Sequence, residues 1–240
     1  NGEIKADEAV IGYVGAYTFA EVISGYTAFF LGAQSVCPSA TMMVEFIGSW
    51  GDPTMEANAA QDLIDKGAVL ISQHSDSTTP ATTAQKNGVY HVGYNLDMSD
   101  VAQDASIVSS RIDWTNYMVY VIETIVNGGK VEQDYKQHGY ADGDVKLTDL
   151  NENVAAEGTA DKLAEVEAAL ADGSLQVFDT SKFTVGGKEL KSAFALDTDG
   201  DFTPDKEEAV FDGAFHESYF QSAPYFAQRI DGITLLNEEY

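Results

Sequence analysis

The sequence predicts an α/β fold in which a doubly wound parallel sheet is covered by helices. Between residues 9 and 95, short apolar and β-branched runs alternate with longer segments of helical periodicity. The 240 residues are 44% hydrophobic, which is enough to bury a substantial core. Because crossovers between parallel strands are nearly always right-handed, the C-terminal ends of the strands should open along one edge of the sheet.

Successive β-α units account for the first part of the chain. Cys37 and Pro38 mark the end of the first helix, and Asp52 is expected to cap the second helix with Pro53 in its first turn. Gly67 is the expected stop of that helix. The predicted elements are strands over residues 9–15, 42–48, 68–73 and 89–95, and helices over residues 21–36, from Pro53 to Gly67 and from near Pro80.

The regular alternation fades beyond residue 105. A strand is predicted over residues 106–114, a crossover helix over 115–129 and a helix after Gly158 with Thr159 as its N-cap. Short β segments and loops follow from about residue 175, with a hairpin turn at Gly186 and Gly187. We therefore divide the chain into an α/β ligand-binding lobe, 1–110, and a segment, 111–240, of helices and an irregular β and loop extension.

Charge and cysteine content exclude several function classes. The 39 acidic and 13 basic residues give a formal net charge of −26, which would repel nucleic acids and anionic membrane surfaces. Cys37 is the single cysteine, so an intrachain disulfide, a four-cysteine zinc site and a CxxC redox pair are excluded, and we interpret it as structural. No run of about 18 apolar residues predicts a membrane span.

The residues directly after each strand are the candidates for ligand binding, because the crevice of an open α/β sheet lies there. Trp50 follows the second strand and Asp76 the third, which places a large aromatic ring and a carboxylate at neighbouring strand ends. Asp52 is interpreted as a helix cap. Rings and carboxylates together suit a flat ligand that forms hydrogen bonds.

A catalytic interpretation has less support. His74 lies two residues from Asp76, but the nearest other histidine, His91, falls inside a strand without metal-ligand spacing. The sequence contains no GxSxG, P-loop, GxGxxG or HExxH motif. We therefore expect a non-catalytic receptor for a small molecule, with no cofactor.

An acidic loop near the C-terminus has the spacing of a calcium loop. Side-chain oxygens occupy positions 1, 3, 5, 7, 9 and 12, but glycine stands at position 4 instead of position 6. A solvated acidic loop in a very acidic protein is the alternative. If calcium binds here, we expect a structural role. The predicted ligands are Asp197, Asp199, Asp201, Thr203, Asp205 and Glu208.

Four ordered segments resemble the basic-membrane-protein (Med) family of ABC-transporter substrate-binding lipoproteins. They read IGYVGAYTFAEVISGYTAFFLGAQSV, SWGDPTMEANAAQDLIDKGA, ISQHSDS and GVYHVGYNLDMS, and the likeness spans residues 9 to about 130. The resemblance implies a type I periplasmic-binding fold, with one complete lobe and parts of the second, and a purine nucleoside or nucleobase bound between the lobes. It also implies an extracytoplasmic lipoprotein that works with an ABC permease. The ligand-binding residues that it implies are Tyr17, Phe19, Trp50, Asp76, Asn95, Asp97 and Trp114.

Two departures from the family pattern qualify these expectations. Members carry a further stretch of the first lobe before the IGYVG strand, so this chain is expected to be a C-terminal portion with one wall of the cleft largely missing. The second departure is the aromatic C-terminal extension, formed by the calcium-like loop and the segment FHESYFQSAPYFAQRIDG (215–232). It is longer and richer in aromatic residues than the usual family ending, and it has no assigned function. The alternatives are a nucleoside-processing enzyme with Asp76 as base and His74 nearby, and a ligand-sensing domain on the same fold.

Overall fold

The computed structural model describes residues 4–135, 138–195 and 206–240. Two sheets and five α-helices make up the regular structure of these residues, preceded by a 3-10 turn at Ala6–Glu8. The strands are β1 (Val10–Gly15), β2 (Thr41–Phe46), β3 (Leu70–Gln73), β4 (Tyr90–Tyr94), β5 (Ser106–Ile112), β6 (Val145–Leu147), β7 (Val210–Phe211), β8 (Ala214–Phe215) and β9 (Ile233–Leu235). The helices are α1 (Ala20–Val36), α2 (Pro53–Asp65), α3 (Thr79–Asn87), α4 (Thr115–Val126) and α5 (Thr159–Ala171).

The main sheet has seven strands in the order β6-β5-β4-β3-β1-β2-β9. All neighbours pair in parallel except β6, which runs antiparallel to β5, while β7 and β8 form a separate hairpin. The predicted α/β fold is confirmed. Since β2 and β3 lie on opposite sides of β1, the strand order reverses at β1, and a ligand crevice is expected beyond its C-terminal end.

The sheet buries a different cluster on each face. Side chains alternate along β1, so Tyr13 joins the cluster under α1 and Val14 joins the one under α2 and α3. Leu63 of α2 and Ile71 of β3 have no exposed surface and pack in this second cluster. Burying each such large apolar side chain stabilises the fold by roughly 1.5–3 kcal/mol.

The aromatic C-terminal extension completes the first cluster. Phe226 stacks on Phe178 with ring centroids 4.3 Å apart, and its ring meets the edge of Phe215 at 4.9 Å. These rings belong to the same buried cluster as Tyr26 and Phe30 of α1. The extension therefore covers α1, which gives it a structural role that the sequence pattern did not reveal.

The helix caps show where the predicted helix boundaries agree with the structure and where they differ. The Asp52 carboxylate caps α2 by accepting from the backbone N–H groups of Thr54 and Met55, both at 3.0 Å. The predicted Thr159 cap is wrong: Gly158, with φ 85°, is the N-cap of α5, and Thr159 is its first residue. Glycine alone adopts this backbone region at little cost.

Candidate functional site

Three aromatic side chains meet at the C-terminal ends of β1 and β2. The Tyr17 and Phe19 rings stack with centroids 5.1 Å apart and planes 14° apart. Trp50, from the loop after β2, presents its ring to Tyr17 at 5.4 Å and 62°. We call these three residues the ring group. Phe19 keeps 52% of its surface exposed, so apolar ring surface faces solvent at the predicted crevice.

Asp76 lies beside the ring group. Its backbone N–H donates a 2.7 Å hydrogen bond to the carbonyl oxygen of Trp50, which ties the loop after β3 to the loop after β2. The residue itself is exposed. The loops after β2 and β3 therefore meet across the end of β1, which lies between these two strands in the sheet, so the expected neighbouring strand ends are in fact one strand apart.

His74 also lies at this site, although the sequence interpretation set it aside. Its ring is 4% exposed and lies 4.3 Å from the Tyr94 ring and 6.4 Å from the Trp50 ring. His74 Nε2 is 3.5 Å from Glu21 Oε1, and this approach of the His74 ring lowers the pKa of Glu21. The available signal was its position, one residue beyond β3.

Hydrogen bonds from buried polar side chains support the loop of Asp76. His91 on β4 is fully buried, and burial lowers its pKa to about 3, so the ring is neutral at physiological pH. His91 Nε2 lies 3.1 Å from Gln73 Oε1. Gln73 Nε2 donates to the carbonyl oxygens of Ser75 at 2.7 Å and Ser77 at 2.8 Å. His91 is thus part of a structural network that fixes the loop.

Two further predicted residues line a neighbouring cleft of about 460 Å³. Asn95 and Asp97 follow β4 there and face Arg111 and Thr148. Asp97 Oδ1 accepts from the backbone N–H and the hydroxyl of Ser99, at 2.9 and 2.6 Å. This cleft lies beside β4, β5 and β6, on the far side of β3 from β1, and none of the three rings lines it.

The structure does not bring Trp114 to the ring group. Trp114 precedes α4, is 57% exposed and meets the Tyr117 ring of the same helix at 5.9 Å. Four of the seven predicted residues therefore share one site, two line the neighbouring cleft and one stands elsewhere.

The predicted calcium ligands Asp197 to Asp205 lie outside the described residues. Glu208 is described, and its carboxylate accepts from the Ser192 hydroxyl at 2.5 Å and from the backbone N–H groups of Ala193 and Val210. These bonds lower the pKa of Glu208. Within the described ranges, no three His, Cys, Asp or Glu side chains are grouped to hold a metal ion. The calcium site stays a prediction.

A comparison with known protein families covers the part of the chain that holds this site. Residues 4–175 match the model of the family described as ABC transporter substrate-binding protein PnrA-like. The matched stretch contains the ring group, Asp76 and the buried side chains of Gln73 and His91.

Two relatives found by sequence similarity are named for different ligands. A purine-binding protein of Brucella abortus is 34% identical over 175 residues, which cover 71% of this chain and 48% of that protein. A putative ABC transporter glucose-binding protein of Haloferax volcanii is 34% identical over 173 residues, which cover 72% of this chain and 44% of that protein. The chain thus spans about half the length of these relatives.

Solved structures share the fold at lower identity. An ABC transporter solute-binding protein from Conexibacter woesei aligns over 70% of this chain and 56% of its own, with a TM-score of 0.57 and 19% identity. A transcriptional activator of the comK gene from Bacillus halodurans aligns over 71% and 61%, with a TM-score of 0.59 and 17% identity. In the part of this chain that the structure describes, no helix is both long and apolar enough to cross a membrane.

Proposed function

We propose that this chain, which belongs to the PnrA-like family of ABC transporter substrate-binding proteins, binds a purine nucleobase or nucleoside at the ring group. The observation that carries the proposal is the ring surface of the exposed Phe19 and the half-buried Tyr17 and Trp50, with the loop of Asp76 tied to Trp50. The family assignment supports a binding role over an enzymatic one.

The chemistry of this site favours a flat heterocycle. A purine offers two π faces that can stack on aromatic side chains, and stacking adds about 0.5–1.5 kcal/mol beyond area burial. Its ring N–H and amino groups are donors, and an ionised carboxylate such as Asp76 accepts them in strong, charge-assisted hydrogen bonds. The ring group and Asp76 would therefore read the faces and the edge of the same base.

A hexose is the second candidate, because one relative is named as a glucose-binding protein. A sugar can lay one face on a ring, but its several hydroxyl groups need several polar partners. The ring group supplies three aromatic side chains, against two carboxylates nearby, those of Asp76 and of Glu21. This composition supports the purine over the sugar.

Isothermal titration with adenine, adenosine, guanosine, inosine and glucose tests the proposal. It is run on the whole encoded protein, with this chain in parallel, because the chain spans about half the length of its relatives. We expect at least one purine to bind with a Kd below millimolar and glucose to bind more weakly. Binding of glucose alone, or of none of the five, would refute the purine assignment.

The proposed physiological role is delivery of the ligand to an ABC permease on the outer face of the cytoplasmic membrane, with a lipid anchor in the complete protein. The role requires that the ligand leave unchanged. Nucleosides incubated with the protein should therefore be recovered intact by chromatography. Release of a free base that is lost in Asp76→Ala would favour the enzyme interpretation instead.

A further inference from the structure

Glu56 is a carboxyl group on α2 with no exposed surface. Buried carboxyl groups are costly unless they are hydrogen-bonded, so its position needs a specific partner. Asp52 already caps this helix, and no role for Glu56 follows from the helical pattern alone. Its burial points to a tertiary role.

The partner of Glu56 is the loop that carries Asp76. The Ser77 hydroxyl donates to Glu56 Oε2, and the Ser77 backbone N–H donates to Oε1 at 3.3 Å. Both bonds come from Ser77. Glu56 therefore holds the residue that follows Asp76, while Asp76 itself stays exposed.

Glu56 and Gln73 form hydrogen bonds to this loop with complementary groups. Glu56 accepts from the N–H and hydroxyl groups of the loop, whereas Gln73 donates to its carbonyl oxygens. The backbone N–H of Asp76, at the tip of the loop, is bonded to the carbonyl oxygen of Trp50. These bonds fix the backbone of the loop, and with it the point from which the Asp76 side chain projects beside Trp50.

We propose that Glu56 is a positioning residue that presents Asp76 to the ligand through Ser77. This inference rests on the proposed function, because it assigns Asp76 to the base. Preorganised binding groups cost less to order when the ligand arrives, so loss of Glu56 should weaken binding without removing any ligand contact.

Three variants separate positioning from general stability. Glu56→Leu keeps the side-chain size and removes both acceptors, Glu56→Gln keeps one acceptor oxygen, and Asp65→Leu makes the same change at an exposed site on the same helix. In the ligand-free protein, Glu56→Leu should speed amide exchange at Ser77 by about tenfold, the effect of one lost hydrogen bond. Glu56→Gln should restore most of the protection, and Asp65→Leu should match the parent protein.

The binding arm is a double-mutant cycle with Asp76→Asn. The probe is whichever of adenine, adenosine, guanosine and inosine binds the parent protein most tightly. Glu56→Leu should raise the Kd of this probe about tenfold when Asp76 is intact and leave it unchanged in the Asp76→Asn background. An equal loss in both backgrounds, or parent-like exchange at Ser77, would overturn the inference.

The two arms separate failure of this inference from failure of the purine assignment. If no purine binds the parent protein, the purine assignment fails, while the exchange data still decide whether Glu56 fixes the loop. If Glu56→Leu does not fold, Ser77→Ala removes the hydroxyl donor from the other partner. It should likewise weaken binding only where Asp76 is intact, and unchanged binding in Ser77→Ala would then overturn the inference.

Discussion

Glu217 accepts a hydrogen bond from the Ser24 hydroxyl, so the C-terminal extension places a carboxyl group against α1. Burial raises the pKa of Glu217 to about 7, and the bond to Ser24 opposes this rise only in part. The carboxyl group lies close enough to Tyr225 to raise the pKa of that phenol as well, although burial of Tyr225 is the larger cause. The contact between the extension and α1 is therefore sensitive to protonation.

The stability of the fold should depend on Glu217 between pH 4.5 and 7. In this window the folded state binds more protons at Glu217 than the unfolded state does, so its contribution to stability is lost as the pH rises. The loss amounts to at most about 3 kcal/mol. Glu217→Gln stays neutral, and urea unfolding should show it gaining stability relative to the parent from pH 5 to pH 8. Glu239→Gln, at an exposed site, serves as the control and should show no such gain.

Two glycines should respond in opposite directions to alanine. A Cβ on Gly12 of β1 would lie 2.7 Å from Ile71 Cδ1 and 2.9 Å from Leu63 Cβ, whereas one on Gly32 of α1 would meet nothing within 4 Å. Gly12→Ala should cost about 1–3 kcal/mol of unfolding free energy through overpacking. Gly32→Ala should stabilise by up to about 1 kcal/mol through helix propensity. Denaturant melts of both variants test the packing between the sheet and α2, and equal effects would contradict it.

Salt should stabilise this protein. With a net charge of −26, the folded state suffers self-repulsion that mobile ions screen. Raising KCl from about 0.1 M to about 1 M shortens the Debye length from roughly 10 Å to roughly 3 Å, so the melting temperature should rise. Near the sequence pI of about 4.1 the net charge vanishes, and the salt effect should shrink. The melting temperature is therefore measured against KCl concentration at pH 7 and near pH 4.1. An equal rise at both pH values would mean that salt acts by strengthening the hydrophobic effect rather than by screening charge.

The two tryptophans should differ in their effect on ligand binding. Trp50 contacts Tyr17 and the loop of Asp76, whereas Trp114 meets Tyr117 on its own helix. Trp50→Ala should weaken purine binding by about tenfold or more, the loss expected for an aromatic anchor. Trp114→Ala should change the Kd less than twofold. Titration of both variants checks the assignment, and a larger loss in Trp114→Ala would move the site away from the ring group.

The elements up to β4 could be predicted because their signals are local. Asp52 followed by Pro53 carries a cap and a first turn within two residues, and the apolar runs of β1 to β4 are separated by helical periodicity. The hairpin turn at Gly186 and Gly187 was also predicted correctly. Both residues have positive φ, and Val185 pairs with Lys188 across them. In these segments, residues close together in sequence determine the backbone conformation.

Other features depend on partners that are remote in sequence. β9 has three residues and is recognisable as a strand only through its pairing with β2. Glu56 looks like any helix glutamate until Ser77 is placed against it. His74 was set aside for lack of a metal-binding or catalytic partner, whereas its neighbours prove to be Tyr94 and Glu21. No local pattern encodes these contacts.

The pairing of β9 with β2 also has a consequence for the order of folding. Asn237 brackets the Phe46 backbone with hydrogen bonds to its N–H and carbonyl groups across a separation of 191 residues. Closing so long a loop is entropically costly, so this edge should assemble late, after the local β-α units have formed. Until then the outer edge of β2 is an unpaired strand that other chains can add to. Docking of β9 and Asn237 on β2 therefore protects this edge from pairing with other chains.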